Sequence, residues 1–472
     1  MNSPVFSAQA LLRRRSLLGL GALSALAVSG VSRRVWAQPA PGDGKTLPGG
    51  GRLVVVFLRG ACDGLSAFVP YADPDYYAIR PNIAIAAPDG TAQSALRLDS
   101  TFALHPALSP LLPLWQQGVL GFVPAAGLPA PNRSHFDAQY QMEIARTGKT
   151  SSSPGWLNTV AELNARSGKA GGTSGDGSAV AIGVGEANPV ILGGPAAVRL
   201  IARGQTAEKT GVLANDKTRQ ALLDLYGGND SLSVAFRQGA GSRMQSAQEL
   251  TSEKMLEDAR RDMSMREAQR LPARSSLDRD GTPANPQMQS AQMLAASNGA
   301  ADPVGLQLDA QHLGTLMRND RKLRLGFLSA GGWDTHANQG AATGQLANNL
   351  GNLGRGIAQL RQVFSEPGDV IVVMSEFGRT SSENGTRGTD HGFGNALWLI
   401  GNSVAGGRWH GEWTGLAHGN LNEGRDLPAH HDYRAVLAQV LRSTFALGDS
   451  QLASVLPNSS WDHRLDGLLK KA

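Results

Sequence analysis

From Leu53 to Leu58 the chain reads Leu-Val-Val-Val-Phe-Leu, with glycines close on either side at Gly51 and Gly60. An unbroken apolar run of this length fits a strand buried on both faces, as in parallel sheets covered by helices. The same pattern returns at Val119–Val123, Ala179–Val184, Leu323–Leu328, Val370–Met374 and Ala396–Ile400. Between the last runs the period changes. Apolar residues at 346, 350, 353, 357, 360 and 364 recur at spacings of three and four, which predicts an amphipathic helix over Leu346–Phe364. A second such pattern runs from Tyr433 to Leu447. Strands alternating with helices predict an α/β fold with a mainly parallel sheet.

Residues 205–320 break this alternation, being charged, rich in Gln, Met and Ala, and poor in strand patterns. They read as a helical insertion, a cap over the sheet edge, interrupted by a loop-like Pro272–Pro286 segment. Gly-, Ser- and Pro-rich residues 38–50 and 166–178 read as a linker and a surface loop.

The first 37 residues stand outside the fold. Arg13-Arg14-Arg15-Ser16-Leu17-Leu18 carries an arginine pair before an apolar run to Val31, and Val35-Trp36-Ala37 offers small residues where a signal peptidase reads. This is the pattern of a twin-arginine export signal, with the twin-arginine machinery as partner and the periplasm or exterior as destination. The run is shorter than the roughly 20 residues of a spanning helix, so no stable membrane span is expected in the mature form. Residues 51–472 would form the folded domain.

Removing the signal changes the charge picture. It holds five of the 44 basic residues and no acid, which leaves 39 basic against 39 acidic residues. A near-neutral protein has no electrostatic support for a nucleic-acid partner. The single cysteine, Cys62, excludes an intramolecular disulfide.

Candidate chemistry gathers where loops leave the strands, because the carboxyl ends of parallel strands share one edge. Five stretches bring acids and histidines there: Arg59-Gly60-Ala61-Cys62-Asp63-Gly64, Arg133-Ser134-His135-Phe136-Asp137, Trp333-Asp334-Thr335-His336, Ser375-Glu376-Phe377-Gly378-Arg379, and Thr389-Asp390-His391-Gly392, which precedes its strand. Carboxylate oxygen and neutral imidazole form the ligand set of hydrolytic divalent-metal sites. Asp334 and His336, two apart, would face one side of an extended backbone. Ser134 reads either as a helix cap paired with Asp137 or as a nucleophile at a helix N-terminus. Trp398, Trp409 and Trp413 read as core or lid, with sugar stacking left open.

These blocks, extended to Leu58–Leu65, Asn132–Asp137, Gly332–Gln339, Met374–Thr380 and Gly388–Gly392, resemble the DUF1501 family of secreted bacterial proteins over most of the mature chain. That resemblance implies membership of the alkaline phosphatase and sulfatase superfamily. It implies a three-layer α/β/α sandwich with a metal site at the strand ends. Carried across, Asp63 matches the metal-bridging acid, Asp334, His336 and His391 the ligands of one metal, and Glu376 an acid of the other. The superfamily has Asp-His where this chain has Glu376-Phe377, and a phenyl ring cannot bind metal. A second ion would then need Asp390 or His135.

The expected function is metal-dependent hydrolysis of a phosphate or sulfate ester of a small molecule or glycan. Asp63, Asp334, His336, Glu376, Asp390 and His391 would hold a divalent ion (zinc, calcium, magnesium or manganese). Ser134 or an activated water would attack, and Arg59 or Arg379 would clamp the anion. The alternative is a non-catalytic metal-binding envelope protein that holds a glycan or protein in the same cleft.

Overall fold

The computed structural model describes residues 50–148, 153–167, 179–185, 189–268 and 291–470. Residues 1–49, which include the expected export signal and most of the expected linker, the Pro272–Pro286 segment and nearly all of 166–178 lie outside the described residues. No described helix is long and apolar enough to cross a membrane.

The chain is mixed α/β, built on a large, mostly parallel sheet. Its strands are β1 (Leu53–Leu58), β2 (Leu120–Gly127), β3 (Ala181–Val184), β4 (Val198–Ile201), β5 (Leu325–Ala330), β6 (Val370–Ser375), β7 (Asn395–Ile400), β8 (Arg408–Trp409) and β9 (His431–Asp432). Their order is β8-β2-β7-β6-β1-β5-β3-β4, with β9 pairing to β2. β1 runs parallel to β5 and β6, with Leu58 opposite Ala330 and Ser375. β7 alone is antiparallel to both neighbours, β2 and β6. A three-stranded antiparallel sheet, made of Phe68–Val69, Leu96–Arg97 and Ala103–Leu104, lies apart from it.

Every residue of β1, β5, β6 and β7 is buried, as the continuous apolar runs require. Alternate side chains enter different cores. Leu53, Val55 and Phe57 pack with α1 (His135–Ile144), α2 (Trp156–Ser167) and α8 (Tyr433–Phe445). Val54, Val56 and Leu58 pack with α6 (Leu306–Asn319) and α7 (Gln345–Val363). Helices therefore cover both faces of the sheet.

Among described residues, 205–320 holds no strand and is helical, with α3 (Asp216–Leu225), α4 (Ser231–Ala268), α5 (Ala291–Ala296) and α6. α6 belongs to a covering layer: Leu313, Leu316 and Met317 are buried in the same core as β1. The sequence pattern missed β4, whose Val-Arg-Leu-Ile places a charge inside a four-residue strand.

Candidate metal centre

Four loops meet at the carboxyl edge of β1, β2, β5 and β6, and the loop before β7 joins them because β7 runs the other way. Close backbone packing fixes this meeting. A Cβ at Gly388 would lie 2.3 Å from the His336 carbonyl, and Thr389 N–H donates to Thr335 O at 3.1 Å, so the 388–391 loop rests on the 333–336 loop. Arg379 and His391 form an antiparallel bridge that ties in the loop after β6. Gly60, at φ +112°, brings the loop after β1 against Asp334, where a Cβ would meet its backbone nitrogen at 2.9 Å.

Three imidazoles and one carboxylate converge here. Asp334 Oδ1 lies 2.9 Å from His336 Nε2, 3.2 Å from His391 Nε2 and 3.4 Å from His135 Nε2. His391 Nε2 is 2.9 Å from His135 Nε2 and 3.0 Å from His336 Nε2. Each ring turns its other nitrogen to an acceptor: His135 Nδ1 to Glu376 Oε1 at 2.7 Å, His336 Nδ1 to Asp390 Oδ1 at 2.9 Å, and His391 Nδ1 to Arg133 O at 2.9 Å. In a neutral ring a proton on Nδ1 leaves a lone pair on Nε2. Three lone pairs and a carboxylate oxygen facing one point repel one another until a cation or proton lies between them. Donors on a tetrahedral zinc, at bonds of about 2.0–2.2 Å, sit roughly 3.3 Å apart. His135, Asp334 and His391 form one mutually close set, and His336 joins it through Asp334 and His391.

Electrostatics agree with the geometry. Burial works against charging His135, yet the Asp334 and Glu376 carboxylates push its pKa up to about 9. The hydrogen bond to Asp334 raises that of His336 in spite of burial. Burial would raise the Asp334 pKa, but the three histidines and Arg379 hold it far below the usual carboxylate range. Without a metal, a proton serves as the cation. Side-chain exposure is 3% for Asp334 and 9% for His135 but 25% for His391 and 33% for His336, so the cluster is open to solvent on one side.

Asp334 and His336 do meet at one point, though not through extended backbone. His336 N–H donates to Asp334 O and Thr335 N–H to Trp333 O, so the loop is a pair of tight turns. Glu376 and Asp390 stand behind the cluster, each holding an imidazole. Glu376, fully buried, also accepts from Gly60 N at 2.8 Å and Gln139 Nε2 at 2.9 Å. Burial pushes its pKa up, but the His135 bond more than reverses this. His135 faces the centre directly; the signal for it was the Asn132–Asp137 block, which puts a histidine at the first position of α1. Phe377 packs against His135 and His391, with ring centroids 4.8 and 5.2 Å away.

Other candidates are placed elsewhere. Asp63 is bound by Arg80 at 2.6 and 3.1 Å, by Ser66 at 2.8 Å and by Gln339 at 2.8 Å. Arg59 is taken up by Gln139 and Glu143, at 3.0 and 2.8 Å. Arg379 donates to Asp334 Oδ1 at 2.7 Å and to Thr389 Oγ1 at 3.1 Å, so it braces a cluster member. Ser134 starts α1 without a capping bond from its side chain and is exposed beside His135. Asp137 instead accepts from Asn132 and Gln141. Trp398 is core, and Trp409 and Trp413 meet the Phe102 ring in edge contacts. Gln139, which donates to Glu376, lay outside the sequence motifs, whereas Gln339, which donates to Asp63, closes the Gly332–Gln339 block.

Comparison with known families places the chain. The family described as Protein of unknown function (DUF1501) matches residues 51–456. The chain belongs to this family. The match starts one residue before Arg52 and spans all five loops of the cluster. Comparison with curated proteins gives no match.

Proposed function

We propose that this DUF1501 member is an exported, metal-dependent hydrolase of phosphate or sulfate esters, with an alkaline phosphatase-like α/β/α sandwich as its fold. The convergence of three Nε2 atoms on Asp334 Oδ1, each ring backed at Nδ1, carries the reading. Imidazole-rich donor sets with one carboxylate suit zinc or manganese better than calcium or magnesium, which prefer oxygen. His135, Asp334, His336 and His391 would hold the ion. A divalent ion, when bound, supplies Lewis-acid polarisation of a phosphoryl or sulfuryl oxygen. The chain's part is orientation: Glu376, Asp390 and the Arg133 carbonyl fix the three rings, and Ser134 presents a hydroxyl at the start of α1, where backbone amides favour an anion. Export by the twin-arginine route, supported by Arg14-Arg15 ahead of Leu17-Leu18, would load the metal before translocation.

A second reading, a non-catalytic envelope protein that holds a ligand in this cleft, is favoured by one observation. Phe377 stands where the resembled superfamily would have a further ligand, and Asp63 is closed by Arg80, which leaves donors for one ion. The test is metal content by mass spectrometry of protein purified without chelator, together with turnover of an aryl phosphate and an aryl sulfate. Wild type should carry one ion, His391→Ala should lose it, and the exposed control His463→Ala should keep it. Turnover that survives in Ser134→Ala would assign the attack to water. Metal without turnover would leave the binding-protein reading, and a wild type without metal ends both.

A further inference from the structure

With Arg59 held by Glu143 and Arg379 by Asp334, neither arginine is placed to meet an incoming anion. Two others are. The Arg133 carbonyl accepts from His391 Nδ1 at 2.9 Å, and Arg425 Nη2 donates to His391 O at 3.0 Å. The Arg133 backbone and the Arg425 guanidinium thus border the same cluster histidine, and the two side chains, 33% and 42% exposed, share Asp426 as a partner. Asp426, fully buried, sits beneath them, 2.8 Å from Arg425 Nε and 3.4 Å from Arg133 Nη2. The remaining partner is Glu423, 62% exposed, whose Oε2 lies 2.7 Å from Arg133 Nη2. Arg133 Nε is buried and has no hydrogen-bond partner. A buried donor without a partner costs stability unless something supplies an acceptor.

We propose that Arg133 and Arg425 are the anion-recognition subsite of this centre, taking a tetrahedral oxyanion such as phosphate or sulfate, and that Glu423 is the carboxylate this anion displaces. The charge count supports the exchange. Two guanidinium groups face one buried carboxylate that cannot leave and one exposed carboxylate that can. When Glu423 swings into water, one net positive charge and the planar Arg133 fork remain beside the cluster, a geometry that matches two oxygens of an oxyanion. Ser134, next in sequence, would then meet the same anion. The proposal rests on the metal-centre reading for the anion's orientation.

The test is calorimetric titration of inorganic phosphate into the zinc-loaded protein and its variants. R133Q should weaken phosphate binding about tenfold or more, the scale of a charge-assisted hydrogen bond. R425Q should weaken it too, and E423Q should tighten it. Zinc stoichiometry should hold in all three, because the contact to His391 from residue 133 is made by backbone. Zinc-loaded wild type that binds no phosphate, or R133Q that binds it like wild type, overturns the subsite while the metal centre stands. Protein that takes no divalent ion yet holds phosphate, and loses it in R133Q, removes the centre and keeps the subsite.

Discussion

Asp63 and Asp334 follow neighbouring parallel strands, β1 and β5, and both are almost fully buried, yet they serve different ends. Around Asp63 the chain has supplied its own cation. Arg80 pairs with both carboxylate oxygens, and Ser66 and Gln339 complete the set. Burial pushes the Asp63 pKa up, and Arg80 more than reverses it. Around Asp334 the neighbours are one guanidinium, Arg379, bound to Oδ1 at 2.7 Å, and three imidazoles whose Nε2 atoms lie within 3.4 Å of the same oxygen. A directed chain joins the two: Arg379 donates to Thr389 Oγ1, Thr389 to Gln339 Oε1, and Gln339 to Asp63. The difference teaches that a buried carboxylate in an apparent metal motif is read by its partners. A guanidinium on both oxygens, as Arg80 gives Asp63, closes the position as a keystone, whereas Asp334 takes a single guanidinium bond on Oδ1 and keeps three imidazole nitrogens around that oxygen.

The sharpest way to break this comparison is to remove the built-in cation. Arg80→Met leaves Asp63 buried and unpaired, which should destabilise the protein by about 3–5 kcal/mol in denaturant unfolding. Metal content of the molecules that remain folded should not change. A loss under about 1 kcal/mol would mean that Asp63 finds another cation, and the keystone role fails.

Next comes the histidine on the closed side. Burial pushes the His105 pKa down to about 4, against the pull of its bond to Ala341 O and of Asp63. Its folded pKa lies below the unfolded value of about 6.5. The unfolded chain therefore takes up the proton first as pH falls. Stability is complete above pH 6.5 and declines toward pH 4, by about 3 kcal/mol over the window. His312, His410 and His431 are also lowered, so the measurement is the difference in unfolding free energy between wild type and His105→Asn across that range. Parallel curves would remove His105 as the cause.

The smallest effect belongs to the open side. Glu376→Gln keeps an acceptor for His135 Nδ1 but loses the charge, and should lower metal affinity about 10–100-fold in chelator competition. Asp63 should respond differently: Asp63→Asn should leave metal affinity unaltered whatever it costs in stability. Equal losses in the two variants would erase the distinction drawn here.

Local sequence carried much of this structure. Six apolar runs marked six strands of the large sheet, since strands buried on both faces need no polar residues. Spacings of three and four marked α7 and α8. β4 escaped because its arginine interrupts the apolar pattern. Asp334, His336 and His391 were legible as candidates for one site because they lie in glycine-rich loops at strand ends, and the structure brings the three together.

Their division of labour was not legible. Whether a carboxylate faces the focus, as Asp334 does, or stands behind a ring, as Glu376 and Asp390 do, depends on side-chain direction across loops whose carboxylates lie 199 to 255 residues from His135. The reversed strand β7 decides that a loop preceding a strand joins loops that follow strands. Arg80, seventeen residues from Asp63, decides that Asp63 is closed. Residue type and spacing set the chemical vocabulary and the strands, because those follow from hydrophobicity and local backbone preference. Which groups share a focus was settled only by the tertiary fold, because electrostatic pairing acts through space and chain order does not encode it.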